Sequence, residues 1–249
     1  DFQSVYSNVI AEGSSVFPSN EWGMYVSVQA QLSKKLSVNA YSDGVHYPWL
    51  RYQVTGPSNF SDNVIQFNYK PDKKHEFYVR MRIRRTSIDQ NILNRIDFPV
   101  DKLSEQIRLN FIFSPTESLK LHSRLEFVKT NEEGHPNETG YLVFQDVIWK
   151  KMNVPVSVTI RYALFQSDTW NARLYAYEND VLYSYSIPAY YGKGARIYGI
   201  FKFDVRRNID VWFRIAQWTY TDRDFISSGN SMISGFRKTD CTLQMRMQF

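Results

Sequence analysis

Apolar and polar residues alternate along most of this chain. The last stretch, Thr239 to Phe249, shows it most plainly: Cys241, Leu243, Met245, Met247 and Phe249 are apolar, and Thr242, Gln244, Arg246 and Gln248 between them are polar. That period of two predicts a β-strand with one greasy and one wet face. The same pattern recurs at 22–32, 36–40, 65–69, 77–83, 107–113, 119–127, 154–164, 197–203 and 209–215. Tyr141 to Trp149 is a strand by composition, but both of its faces are mixed and the pattern gives it no phase. Phe2 to Ala11 adds one more candidate, for about twelve strands, an even number.

The connections sort by parity. Ser33-Lys34-Lys35, Pro71 to Lys74, Ser114 to Glu117, Lys150 to Asn153 and Arg206-Arg207-Asn208 are short. The segments from about 43–62, 85–103, 131–139, 166–194 and 221–238 are long, with a helical turn expected around Ile88 to Ile96. A soluble sandwich has no reason to separate its loops this way, whereas a membrane barrel does, with short turns on the periplasmic rim and long loops outside. Strands of about ten residues fit a tilted crossing of the hydrocarbon layer. Trp22, Tyr41, Tyr69, Trp149, Trp218 and Tyr220, near strand ends, fit interfacial girdles. The expectation is therefore an all-β, antiparallel transmembrane barrel, a single domain over residues 1–249, in the outer membrane of a Gram-negative bacterium with its C-terminus on the periplasmic side.

Composition changes this picture little. Aromatic residues make up 16% of the 249 residues. The mean hydropathy of −0.43 looks soluble, but alternating strands hide from an average of that kind. No apolar run is long enough for a spanning helix. Cys241 is the sole cysteine, which excludes an intramolecular disulfide framework or a cysteine-cluster metal site.

Several stretches carry a family resemblance: P-W-L-R-Y at 48–52, R-Y-A-L-F at 161–165, the Tyr-rich run R-L-Y-A-Y-E-N-D-V-L-Y-S-Y-S-I-P-A-Y-Y-G-K-G at 173–194, and D-R-D-F-I-S-S-G at 222–229. They resemble the C-terminal barrel of Gram-negative outer-membrane proteins that are labelled by an upstream helix-hairpin-helix domain. The resemblance implies an outer-membrane barrel and no established activity. Family members carry further strands before the point where this sequence starts, so it also implies the later part of a larger barrel as an alternative to a closed twelve-stranded one.

If the apolar face meets lipid, the other lines a lumen, because a charge facing lipid at mid-depth costs about 2–4 kcal/mol. The predicted lumen-lining bases are Arg80, Arg82, Arg84, Arg108, Lys120, Arg124, Arg161, Arg196, Lys202, Arg214 and Arg246, against fewer acids, Glu126, Asp204 and Asp210. Two readings follow: a basic lumen that favours anions, or a polar core in which the arginines pair with acids from infolded loops and with tyrosines. The Tyr-rich excursion is expected to plug the lumen, to bind a glycan or protein outside, or to extend the strands. Its candidate partner-binding residues are Tyr175, Tyr177, Tyr183, Tyr185, Tyr190 and Tyr191, joined by Trp49, Arg51 and Tyr52 from another long loop.

Catalysis has little support. Of four histidines, only His122 lies in a patterned strand, and the neighbouring Ser123 points to the opposite face. Gly192-Lys193-Gly194 is too short for a phosphate loop. Single-stranded nucleic-acid binding would need the arginines outside the barrel. The expected roles are a channel, or a barrel subunit of a larger envelope complex. A surface-binding barrel is the alternative and a hydrolase a distant third. No cofactor or catalytic residue is expected. The expected partners are outer-membrane lipid and other outer-membrane or periplasmic proteins, without nucleic acid.

Overall fold

The alternating stretches form strands. The computed structural model describes residues 21–51, 53–90 and 98–248. Eleven long strands make one antiparallel sheet in chain order: β1 (Trp22–Gln31), β2 (Leu36–Tyr47), β3 (Ser58–Tyr69), β4 (His75–Gln90), β5 (Phe98–Thr116), β6 (Leu119–Glu132), β7 (Glu138–Lys150) and β8 (Val156–Ser167). After two short strands, β9 (Leu174–Tyr175) and β10 (Ala189–Tyr190), come β11 (Lys193–Arg206) and β12 (Ile209–Tyr220). A further short pair, β13 (Phe225–Ile226) and β14 (Ile233–Ser234), precedes the terminal β15 (Arg237–Met247). Within the described residues there is no α-helix. The candidate strand at Phe2 to Ala11, and Tyr52 and Phe249, lie outside the described residues.

The sheet is inside-out by the standard of a soluble protein. On β11, β12 and β15 the apolar positions Ile197, Phe213, Ile215, Leu243 and Met245 are exposed, Leu243 by 73%. The charged positions opposite are buried: Arg161, Arg196 and Arg214 on the strands are each under 7% exposed, and Asp146 is 1% exposed. An apolar side chain left in water forgoes about 1.5–3 kcal/mol of burial, and charged residues are almost never buried unless paired. Both anomalies disappear when the apolar face meets lipid.

Two compact units divide the chain: Asp1–Tyr69, Val79–Ile107 and Lys129–Glu138 form the first, and Lys70–Tyr78, Arg108–Val128 and Thr139–Phe249 the second. In the first, the loop after β2 folds against the far end of β4. The Asp89 carboxylate accepts from the Thr55 N–H at 2.9 and 3.0 Å, and Arg51 donates to Ser58 Oγ and to the Ser87 carbonyl, both at 3.1 Å. This corrects the expected long polar connection at 85–103: β4 continues to Gln90 and β5 starts at Phe98, and most of the helical turn expected around Ile88 to Ile96 lies outside the described residues. The polar composition misleads there because Ser87 and Asp89 of β4 bond to the segment after β2, so the two-sided pattern lapses while the strand continues. At 19 residues, β5 is nearly twice the roughly ten that a tilted crossing needs.

In the second unit the register fixes rows of side chains that share one face. Asp146, Arg161, Tyr198, Ala216 and Asp240 are successive partners across β7, β8, β11, β12 and β15. The next row toward the long-loop rim holds Phe144, Ala163, Arg196, Trp218 and Lys238. Trp218 therefore belongs to the polar face: it is 8% exposed and packs on Phe165 and Tyr190. It is not a lipid-girdle residue, and Tyr220, stacked on it at 5.8 Å, is not one either. Tyr41 of the first unit also turns to the polar face, its hydroxyl 3.2 Å from Asp62.

Candidate functional site

The long Tyr-rich connection does not stand away from the sheet. It folds onto the polar face of the second unit as a hairpin, with β9 and β10 as its antiparallel stem. At the rim, Ser167 donates its N–H to the Gly192 carbonyl at 2.8 Å and accepts the Gly192 N–H on Oγ at 3.0 Å. Gly192 has φ +79°, and a Cβ there would run into the Arg223 guanidinium, so a side chain is excluded both by conformation and by space. Below the rim, Leu174, Ala176 and Tyr190 pack with Leu142, Phe144, Ala163, Phe165 and Trp218 in one buried cluster. That cluster settles the phase of β7. Tyr141, Val143 and Val147 take the exposed face, and Leu142, Phe144 and Asp146 the other, which carries apolar residues because it meets the hairpin.

Deeper, the hairpin is held by charge. Asp146 accepts from Arg161 Nε and Nη2 at 2.5 and 2.7 Å, and Arg161 Nη1 donates to the Tyr177 carbonyl at 2.7 Å. The Glu178 carboxylate, 0% exposed, accepts from Arg196 Nε and Nη2 at 2.5 and 2.7 Å, from Arg214 Nη2 at 3.0 Å and from the Tyr190 hydroxyl at 2.8 Å. Asp180 lies 3.6 Å from Arg214 Nε. Three arginines thus meet three carboxylates, two of them brought by the hairpin. Pairing of this kind is what makes buried charge tolerable. The rings add to it: Arg161 lies 3.7 Å from the Phe144 ring centroid and Arg196 lies 4.2 Å from that of Trp218.

The tip reaches the opposite end of the sheet. Val181 and Leu182 pack with Tyr198, Ile200, Trp212 and Ala216, and Gln244 Nε2 donates to the Leu182 carbonyl at 2.9 Å. The turn closes by the Ser184 N–H to the Val181 carbonyl at 3.2 Å, with Tyr183 in the left-handed region at φ 65°, uncommon for a bulky residue. At this end the Gln248 N–H bonds the Asn208 carbonyl of the short turn at 3.0 Å. Between the Gly194 row and the Lys202 row the hairpin covers on the order of 25 Å measured along β11, at about 3.3 Å per residue.

This geometry revises the expected partner-binding surface. Tyr190 is fully buried and bound to Glu178, so it is withdrawn from any exposed patch. Tyr183 and Tyr185 are exposed, by 87% and 76%, but at the short-turn end and not among the long loops. Tyr175 and Tyr177 are exposed higher on the hairpin. Tyr191 packs edge-on against Trp170 at 5.2 Å, with the Arg223 guanidinium 4.9 Å from its ring. In the same rim loop the Arg223 guanidinium holds the Asp222 carboxyl below the ordinary carboxylate range. In the first unit Trp49 is exposed, while Arg51 lies 4.6 Å from the Tyr47 ring.

The remaining expected lumen bases take these positions. Arg82 and Arg84 converge on Asp62, and Arg80 borders an open groove with Tyr25, Tyr41 and Gln66. Arg108 forks onto Glu126 at 2.7 and 2.8 Å, with Arg124 3.8 Å away. Lys202 and Arg246 both reach Asp210. Lys120 is exposed at the start of β6. His122 is held between Asn110 Oδ1 at 2.6 Å and Asp146 Oδ2 at 3.1 Å, while the Ser123 hydroxyl bonds Gln145. Among the described residues no group of three or more His, Cys, Asp or Glu side chains is placed to hold a metal ion. The residue that sequence reasoning missed is Glu178. Its signal was available: Glu178 and Asp180 are the only acids between Thr169 and Gly192, set against strands with a surplus of arginine.

No protein-family model and no curated protein sequence matches the chain. Among solved structures it is similar to one named "Copper transporter OprC", with a TM-score of 0.55 at 9% sequence identity, over 91% of this chain and 40% of that one. The likeness shows the fold, and the chain spans 40% of the length of the protein it matches.

Proposed function

We propose that this chain is an integral outer-membrane β-barrel segment acting as a channel that its own hairpin, Leu174 to Tyr190, closes at rest. The observation that carries the reading is the pairing of Glu178 with Arg196, Arg214 and Tyr190 on the one face of the sheet that does not present apolar residues outward. A loop that only extended the strands would have no need to bring a carboxylate to full burial. The likeness to a transporter barrel and the resemblance to the barrels labelled by a helix-hairpin-helix domain agree with this reading, which places the short turns and the exposed Tyr183 and Tyr185 on the periplasmic side. The same barrel would serve as the membrane subunit of an envelope complex, with periplasmic partners meeting it there. Capture of a glycan by outer tyrosines is less favoured, because Tyr190 is buried and the most exposed tyrosines sit at the other end.

The test is single-channel conductance in planar bilayers. The intact chain is expected to stay mostly closed, and a variant with residues 174–190 replaced by a short Gly-Ser linker to conduct. Equal conductance from both, or none from either, would remove the channel reading.

A further inference from the structure

Arg196 and Arg214 stand apart from the other bases on the polar face. Arg161, Arg108 and Arg246 each pair with a strand-borne acid, Asp146, Glu126 and Asp210. Among the described residues, Arg196 and Arg214 take their carboxylates only from the hairpin, as Glu178 and Asp180. Asp240, the strand-borne acid in the row between them, lies 3.8 Å from Lys238 instead. Without the hairpin, two guanidinium groups would face one another's field with no carboxylate of the described residues at ion-pair distance.

Even with it, they are under-satisfied. Arg196 Nη1 and Arg214 Nε are buried with no hydrogen-bond acceptor among the described residues, in side chains 4% and 7% exposed. Trp218 beside Arg196 and Tyr198 beside Arg214, at 4.2 and 5.6 Å from the ring centroids, fix the guanidinium planes without neutralising them. A planar donor fork so held is shaped for carboxylate. The two hairpin acids are two residues apart and both approach Arg214, so the occupied site displays the charge pattern of one short dicarboxylate.

Resting on the closed-channel reading above, we propose that Arg196 and Arg214 form an anion subsite for a small organic dicarboxylate, and that Glu178 and Asp180 occupy it at rest as a built-in mimic. Solute binding and hairpin seating then exclude one another, so the solute itself favours the open state. A tethered competitor acts at an effective concentration on the order of millimolar, so opening requires solute in that range.

Succinate is the probe, titrated into the full chain in lipid vesicles, with Trp218 fluorescence and calorimetry as readouts. Glu178→Gln should bind succinate at least roughly tenfold more tightly than the wild type, because the competing charge is gone. Adding Arg196→Gln in that background should remove at least the same factor, and propionate or phosphate should bind roughly tenfold more weakly than succinate. Should Glu178→Gln fail to show the heat-modifiable mobility of a folded barrel, Tyr190→Phe is decisive. It strips one hydrogen bond from Glu178 and should raise succinate affinity about two- to fivefold. Unchanged affinity in the folded variant, binding indifferent to Arg196→Gln, or phosphate equal to succinate would overturn the proposal. Conductance separates the two readings. A conducting hairpin deletion that succinate neither binds nor blocks sinks the subsite alone, whereas succinate binding by a deletion that does not conduct sinks the channel and leaves the subsite standing.

Discussion

Replacing Asp146 by leucine is expected to destabilise the folded protein by about 3–5 kcal/mol, among the largest effects a single substitution can have here. Asp146 is 1% exposed and holds Arg161, itself 2% exposed, through two hydrogen bonds. Removing it leaves a guanidinium on the polar face with one carbonyl, that of Tyr177, as its remaining hydrogen-bond acceptor among the described residues. It also frees the side of His122 that now faces Asp146 at 3.1 Å. A double change, Asp146→Leu with Arg161→Leu, removes both charges and should recover most of the loss, because a buried ion pair contributes little net stability over an apolar pair while half of one is strongly destabilising. The measurement is the urea midpoint for unfolding from lipid vesicles. A single-variant loss below about 1 kcal/mol would mean that water reaches this part of the face freely.

The second large effect is expected on the opposite face. Ile215 lies at the middle of β12, exposed at 41%, one residue from the buried Arg214. Ile215→Arg should cost about 2–4 kcal/mol in a bilayer, the amount for a cation facing lipid at mid-depth. In water the same change at an exposed position would be close to neutral. The contrast is sharp because the two neighbouring positions carry the same residue type with opposite outcomes. Arg214 has Glu178 and Asp180 to meet it, whereas an arginine at 215 would meet only hydrocarbon. Insertion yield and urea midpoint of the variant in vesicles check this, and an unchanged midpoint would count against a lipid-facing β12.

The strands were largely legible in the sequence because the physics that fixes them is local. Where one side of a strand meets hydrocarbon and the other meets polar groups, the period of two is unavoidable, and β8, β11, β12 and β15 show it residue by residue. Three things escaped for one shared reason: the pattern depends on what lies opposite. The phase of β7 was hidden because Leu142 and Phe144 on the polar face meet the apolar stem of the hairpin. The far end of β4 reads as loop because its polar Ser87 and Asp89 answer the segment after β2. Trp218 and Tyr220 read as girdle residues because sequence cannot tell an aromatic beside lipid from one that packs on Phe165 and Tyr190.

The hairpin itself was legible as an element but not in its direction. Arg161, Arg196, Lys202, Arg214 and Arg246 carried more positive charge than the strands could answer, and the answer lay in a segment that its tyrosines made look like a binding surface. Charge complementarity between Glu178 and the arginine rows, not aromatic content, decides where that segment goes.

The central claim is that the apolar face of the sheet meets lipid and the charged face does not. It is tested most directly on β15, where the sole cysteine, Cys241, is exposed on the apolar face. Single cysteines placed in turn at positions 241–246 of the vesicle-inserted protein, each carrying a nitroxide label, report collision with oxygen dissolved in the bilayer. High oxygen accessibility at 241, 243 and 245, with low values at 242, 244 and 246, is the predicted result. Uniform accessibility along the strand, the opposite phase, or protein that stays in the aqueous phase without detergent would contradict it.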